Sequence, residues 1–277
     1  MRIVVPASGC LHLSAEFLQQ VWVIGQRAKI GKKSIFFDKE AIQSYISPPK
    51  QILDFSPVAL PDLVSRLGEA TIRENLLFIS SSHFFDATPY SSLLQAILFD
   101  QKNISRGLFD SDGVAFAFLV KAVIRFVQDY QPSREQVELF MEGLNGRVIT
   151  FMISSDVGQP ETGKVQWQSL LFKVLQKSSI FRTSHTGWQP CPIPTFSKIL
   201  AEQAATETLF WVESRKGQRH WQTLKRHFGR AIIDPSTVVY REVTHLSQRF
   251  PSRFLWLTLT PNKSAIQNIS KQIMRRT

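Results

Sequence analysis

The stretch at residues 208–230, TLFWVESRKGQRHWQTLKRHFGR, decides the reading of the fold. It opens on an apolar run, Leu209-Phe210-Trp211-Val212, turns over residues 214–217, and then repeats Trp221, Leu224 and Phe228 at i, i+3 and i+7. A short apolar run followed by a helical period is a strand–turn–helix unit, with three large side chains on one helix face. Arg215, Lys216, Arg219, His220, Lys225, Arg226 and Arg230 crowd the same span, opposed only by Glu213.

Working outward, the same alternation recurs. Residues 147–154 (RVITFMIS) and 254–259 (FLWLTL) read as strands, and residues 167–175, 196–205 and 218–230 as helices. Asp234-Pro235 reads as a cap with proline in the first helical turn, leading a helix with Val239 and Val243 inward. Ala265, Ile269 and Ile273 line a closing helix. Strands alternating with helices predict an α/β fold with a mostly parallel sheet flanked by helices on both faces. Rossmann-like or von Willebrand A-like layering suits this rhythm, although the DxSxS metal motif of the latter is absent near the first strand.

The first half follows the scheme less cleanly. Residues 2–6 (RIVVP) and 75–80 (NLLFIS) read as strands, the second with the composition of a strand buried on both faces. Residues 13–24 read as a helix capped by Ser14, with Phe17, Leu18, Val21 and Trp22 on one face. Residues 34–37 and 52–55 are short apolar runs, strand or loop. Residues 61–68 and 91–99 read as helices, and 114–130 as a helix apolar almost all round, hence deeply buried. Ser133 and Gln136 form a capping-box signature ahead of Val137, Phe140 and Met141. Prolines in residues 183–194 predict irregular chain there.

Charge divides the chain. Residues 1–150 hold 15 Lys/Arg and 15 Asp/Glu; residues 151–277 hold 18 and 7, so the whole net charge of +11 lies in the second part. The polar Gly/Pro-containing stretch at 156–164 marks the change, and we divide the chain into a neutral half, 1–155, and a basic half, 156–277, which can still form one continuous domain. A basic half points to a polyanionic partner. Two distant cysteines, Cys10 and Cys191, exclude a cysteine zinc site, and no apolar run is long enough to span a bilayer. These features predict an intracellular protein, nuclear or cytoplasmic, without membrane contact.

No catalytic or cofactor motif is complete. Gly25-Gln-Arg-Ala-Lys-Ile-Gly31-Lys32-Lys33-Ser34 has five residues between its glycines where a phosphate loop needs four. Asp110-Ser111-Asp112-Gly113 offers two carboxylates one residue apart, as a metal site would, but turn and cap chemistry accounts for the same residues. Ser80-Ser81-Ser82-His83-Phe-Phe-Asp86 follows a strand, where open α/β sheets gather ligand sites. His83 and Asp86 could act as acid and base there, or form a polar turn.

The expectation is therefore a non-catalytic subunit of a nucleic-acid-associated complex, without cofactor or metal. Arg215, Lys216, Arg219, His220, Lys225, Arg226 and Arg230 would meet DNA or RNA phosphates, beside other protein subunits. One alternative is a transferase for a nucleotide-linked or phosphorylated substrate using Asp110, Asp112 and His83. Another is a scaffold docking an acidic protein.

Overall fold

The computed structural model describes residues 1–30, 32–44, 53–56, 75–81, 104–111, 113–154, 179–184, 187–214, 238–242 and 254–275. Its first layer is a four-stranded parallel sheet. β1 (Arg2–Pro6) pairs with β2 (Val21–Ile24) on one side and β6 (Leu76–Ser81) on the other, and β7 (Ile104–Phe109) closes the edge. Neighbours along β1, Val4 and Val5, are both fully buried, and Leu76, Leu77, Phe78 and Ile79 of β6 are equally enclosed. Alternate residues point to opposite faces, so both faces of this sheet are covered.

One face carries α4 (Gly113–Tyr130) and α5 (Arg134–Asn145), whose Phe126 and Phe140 rings stack at 4.0 Å inside the core formed with Ile3, Val5, Leu77 and Ile79. The expected capping box is present: Ser133 Oγ accepts from Gln136 N at 3.3 Å, and Gln136 Oε1 accepts from Ser133 N at 2.7 Å. The closing helix, α7 (Lys263–Arg275), joins this same core through Ile269 and Ile273.

Residues 13–24 depart from the single helix expected. α1 (Ala7–Cys10) and α2 (Ala15–Gln19) are short, and Val21-Trp22-Val23-Ile24 forms β2. Three β-branched residues in four favour the strand, and pairing with β1 buries them. The glycine-flanked stretch at 25–34 is no phosphate loop. It forms β3 (Gln26–Ile30) and starts β4 (Lys33–Phe37), which with β5 (Leu53–Phe55) make a small antiparallel sheet beside α3 (Lys39–Ser44). β7, which the sequence reading passed over, alternates half-buried and buried residues.

The second layer is a six-stranded sheet in the order β10-β9-β8-β13-β11-β12, comprising β8 (Ile149–Ser154), β9 (Ser179–Ser184), β10 (Gly187–Pro190), β11 (Thr208–Ser214), β12 (Val238–Glu242) and β13 (Phe254–Pro261). The α/β class and its parallel sheet match the expectation, but the parallel sheet lies in the first half. In the second sheet only β11 and β12 run parallel. Two local readings change accordingly. The stretch at 183–194 is mostly the β9–β10 hairpin, with Pro190 closing a strand at the sheet edge, where a missing N–H costs no ladder bond. Val238-Val239-Tyr240 is strand where a helix was expected, again a β-branched and aromatic run overriding a cap signal. One face of this sheet packs α6 (Ile193–Ala204) through Phe151, Phe196, Phe210, Leu257 and Leu259.

Phe140 is fully buried and its neighbour Leu139 is 44% exposed. Phe140→Ala should lower unfolding stability by about 3–5 kcal/mol and Leu139→Ala by roughly 0.5 kcal/mol or less in urea titrations.

Candidate functional site at the carboxyl edge of the parallel sheet

Parallel strands end together. β1, β2, β6 and β7 deliver their exits to one edge: Ala7-Ser8-Gly9 after β1, Gly25-Gln26 after β2, Ser80-Ser81 at the end of β6, and Asp110-Ser111 after β7. The chain leaves β1 toward β2 and leaves β6 toward β7, in opposite directions. The crevice between β1 and β6 is therefore a topological switch point, the position where open α/β sheets receive ligands. Val4 pairs with Phe78, and continuing that register by two residues sets Pro6 level with Ser80.

Each exit is held by a specific contact. Gln26 is only 1% exposed. Its Oε1 accepts from Ser8 N at 2.8 Å and its Nε2 donates to Ser56 O at 3.4 Å, tying the β1 exit to the small antiparallel sheet. Gly9 sits against α4: a Cβ there would lie 2.5 Å from Phe116 Cε1 and 3.2 Å from Val5 Cγ1, so only glycine lets the exit pass this closely. Asp110 N donates to Asn145 Oδ1 at 3.1 Å, and Asp110 O accepts from Thr150 Oγ1 at 2.7 Å, fastening the β7 exit to the second sheet. Gly113 has φ of 62°, the left-handed conformation that lets the chain turn from that exit into α4.

Ser111 stands out here. Its side chain is fully enclosed, yet its Oγ has no hydrogen-bond partner among the described residues. A buried hydroxyl left unpaired costs free energy unless something else satisfies it. Ser80 is also buried and Ser81 half-buried, so three hydroxyls mark two neighbouring strand ends. Helix α4 makes two aromatic contacts. Phe109 meets Phe116 edge-on at 6.2 Å, and Phe118 of α4 meets Trp211 of β11 at 5.0 Å. Trp211 Nε1 donates to Thr260 Oγ1 at 2.8 Å, so the ring's polar end is satisfied and its face stays apolar.

The described part of the edge thus gathers hydroxyl groups, Ser80, Ser81 and Ser111, at two adjacent strand ends. Among the described residues of this edge, no nucleophile stands beside a base. Both cysteines are buried and unpaired, and burial pushes the Cys10 thiol far above its ordinary range and raises that of Cys191, so neither is an activated thiolate.

Of the residues proposed from sequence, Ser80 and Ser81 stand at this edge, as the strand-end reading expected. Asp110 is there too, but its backbone rather than its carboxylate makes the fixing contacts. Asp112, His83 and Asp86 lie outside the described residues, as do Arg215, Lys216, Arg219, His220, Lys225, Arg226 and Arg230. Ser8, Gln26 and Ser111 were missed as site residues. Their only sequence signal is a polar residue next to a strand end, which most turns share.

In sequence the chain matches no family profile and no curated protein. In fold it is similar, nearly end to end, to several solved structures. One is a fatty acid binding DegV family protein from Streptococcus agalactiae, at TM-score 0.64 and 12% identity, covering 95% of this chain and 99% of that one. A second is DegV, a fatty acid binding protein from Bacillus subtilis, at 0.60 and 15%, covering 94% and 99%. A third is a DegV family protein from Thermus thermophilus whose fatty acid binding is described, at 0.61 and 12%, covering 94% and 100%.

These comparisons overturn the nucleic-acid reading, its DNA or RNA partner and its nuclear compartment. The physical reason is that net charge reports a surface potential and does not identify the anion it meets. The transferase and scaffold alternatives have no counterpart among these neighbours either. Among the described residues, no helix is long and apolar enough to cross a membrane.

Gln26→Ala would leave the enclosed Ser8 amide without its acceptor. We expect about 1–3 kcal/mol of lost stability by chemical denaturation, and no smaller a loss at neutral pH for Gln26→Glu, which keeps an acceptor but buries a carboxylate facing the Ser56 carbonyl.

Proposed function

We propose that this chain is a non-catalytic carrier for a long-chain fatty acid, or for an amphiphile of the same design with a carboxylate head. The observation that carries the reading is the end-to-end likeness of the fold to structures described as fatty-acid-binding. The geometry adds to it. A carboxylate accepts hydrogen bonds and donates none, so it suits hydroxyls such as Ser111, Ser80 and Ser81 at a strand edge. An aliphatic chain gains from leaving water for apolar surface, and Phe118 of α4 is half-buried. A basic chain of net charge +11 also favours an anionic ligand, whatever its size. On this reading the protein works in the cytoplasm, and two unpaired cysteines fit a reducing compartment.

The test is direct. Protein purified under native conditions should carry about one fatty acid per chain, seen by intact-complex mass spectrometry and by gas chromatography of the extract, and delipidated protein should rebind oleate or stearate. Protein that carries none and rebinds none would refute the reading.

Ser111→Ala separates binding from folding. Without ligand it removes an unpaired buried hydroxyl, so Tm should stay level or rise. With fatty acid present, loss of a hydrogen bond to a charged group should weaken Kd by about tenfold or more, read by isothermal titration or by a smaller ligand-induced rise in Tm.

A further inference from the structure

The small antiparallel sheet reaches the crevice through Gln26, and its outer strand has an unusual surface. Among the described residues the exposed large apolar side chains are Met1, Ile35, Phe36 and Leu139, and two of these four are adjacent on β4. Phe36 is 49% and Ile35 39% exposed. β4 is the outer strand of its sheet, so nothing in that sheet covers its free side. The Phe36 ring lies against Gly25, where an added Cβ would fall 2.3 Å from the ring; one side of the ring is seated and the other meets solvent.

Cations share the face of Phe36, whereas Ile35 lies on the other face, opposite Ala28. The hairpin register places Arg27 opposite Phe36 and Lys29 opposite Ser34, and residues directly opposite in an antiparallel pair share a face. Lys32 and Lys33 stand at the turn, and Arg27, Lys29, Lys32 and Lys33 are all exposed. Residues 26–37 contain no Asp or Glu. Asp54 of β5 stands opposite Lys29 in the register, and Asp38, after β4, accepts from Ala41 N through its Oδ1 at 2.8 Å. The hairpin therefore presents a positive, partly aromatic surface around a seated ring.

We propose that the β3–β4 hairpin docks the protein on an anionic phospholipid bilayer, with Phe36 entering the headgroup boundary and Arg27, Lys29, Lys32 and Lys33 meeting lipid phosphates. A bilayer takes both kinds of group at once: charge attracts lysines to anionic headgroups, and aromatic side chains settle at the interface. A polyanion in water would take the cations and leave the phenyl ring wet. The proposal rests on the fatty-acid reading for its purpose, because a carrier of such a ligand must collect or release it where acyl chains reside.

The experiment uses the full chain and vesicles of phosphatidylcholine, alone or mixed with phosphatidylglycerol, in a co-sedimentation assay. Wild type should bind the mixed vesicles, bind the neutral ones far less, and release in high salt. Lys32→Ala/Lys33→Ala should weaken partition about tenfold or more. Phe36→Ser should weaken it about fivefold or more, with circular dichroism confirming the fold. Lys198→Ala/Lys271→Ala, which removes the same charge from exposed sites elsewhere, should bind like wild type. Equal binding by the two double variants, or no preference for the anionic vesicles, overturns the proposal. Should Phe36→Ser fail to fold, the lysine pair decides alone. Fatty-acid uptake from solution is measured on the same variants and should not change. If wild type takes up no fatty acid, the carrier reading falls, while the vesicle comparison still decides the docking surface.

Discussion

Everything in this molecule follows from a parallel sheet whose two faces are both enclosed. Val4 and Val5 are neighbours in sequence, point to opposite faces, and are both fully buried. A sheet covered on both sides leaves only its ends for a ligand, and parallel pairing sends all four carboxyl ends the same way. The crossing of connections between β1 and β6 then opens a crevice at one place along that edge. The site is a consequence of strand order before it is a consequence of any particular side chain.

Side chains then tune the place. Gln26 holds the β1 exit, Thr150 and Asn145 hold the β7 exit, and Gly9 lets α4 approach closely enough for Phe116 to pack against the β1 exit. Against these satisfied contacts, the Ser111 hydroxyl is an exception. An enclosed donor without a partner is tolerable in a binding protein because the ligand can complete it, and binding energy is gained where the free protein is left incomplete.

Much of the fold could be read from the residues themselves. β1, β6, β8, β11 and β13 are apolar runs too short for a helix, α4 is long and apolar almost all round, and α5 and α7 carry clear helical periodicity. The errors share one cause. At Val21–Ile24 and at Val238–Glu242, cap-like residues upstream suggested helices, yet β-branched runs found partner strands far away in sequence. Pairing across such distances leaves no local trace. The direction of the second sheet was illegible for the same reason, since alternation of elements does not state which strand lies beside which. At the site, the strand-end position of Ser80 was legible, whereas Ser8, Gln26 and Ser111 acquire meaning only when four separate strand ends converge. The functional reading went astray on charge. The residues at 215–230 drew attention to polyanions, but a carboxylate or a lipid phosphate satisfies the same positive potential.

The central claim is that an amphiphile's carboxylate is held by hydrogen-bond donors at the carboxyl edge of the parallel sheet. Nuclear magnetic resonance of fatty acid labelled with carbon-13 at the carboxyl, bound to the delipidated protein, tests this most directly. Donors that favour the ionised head predict one sharp bound resonance that fails to shift as pH falls through the ordinary carboxylate range, and that regains titration in Ser111→Ala. A bound carboxyl that titrates like the free acid in both proteins, or a signal from free lipid alone, would contradict it.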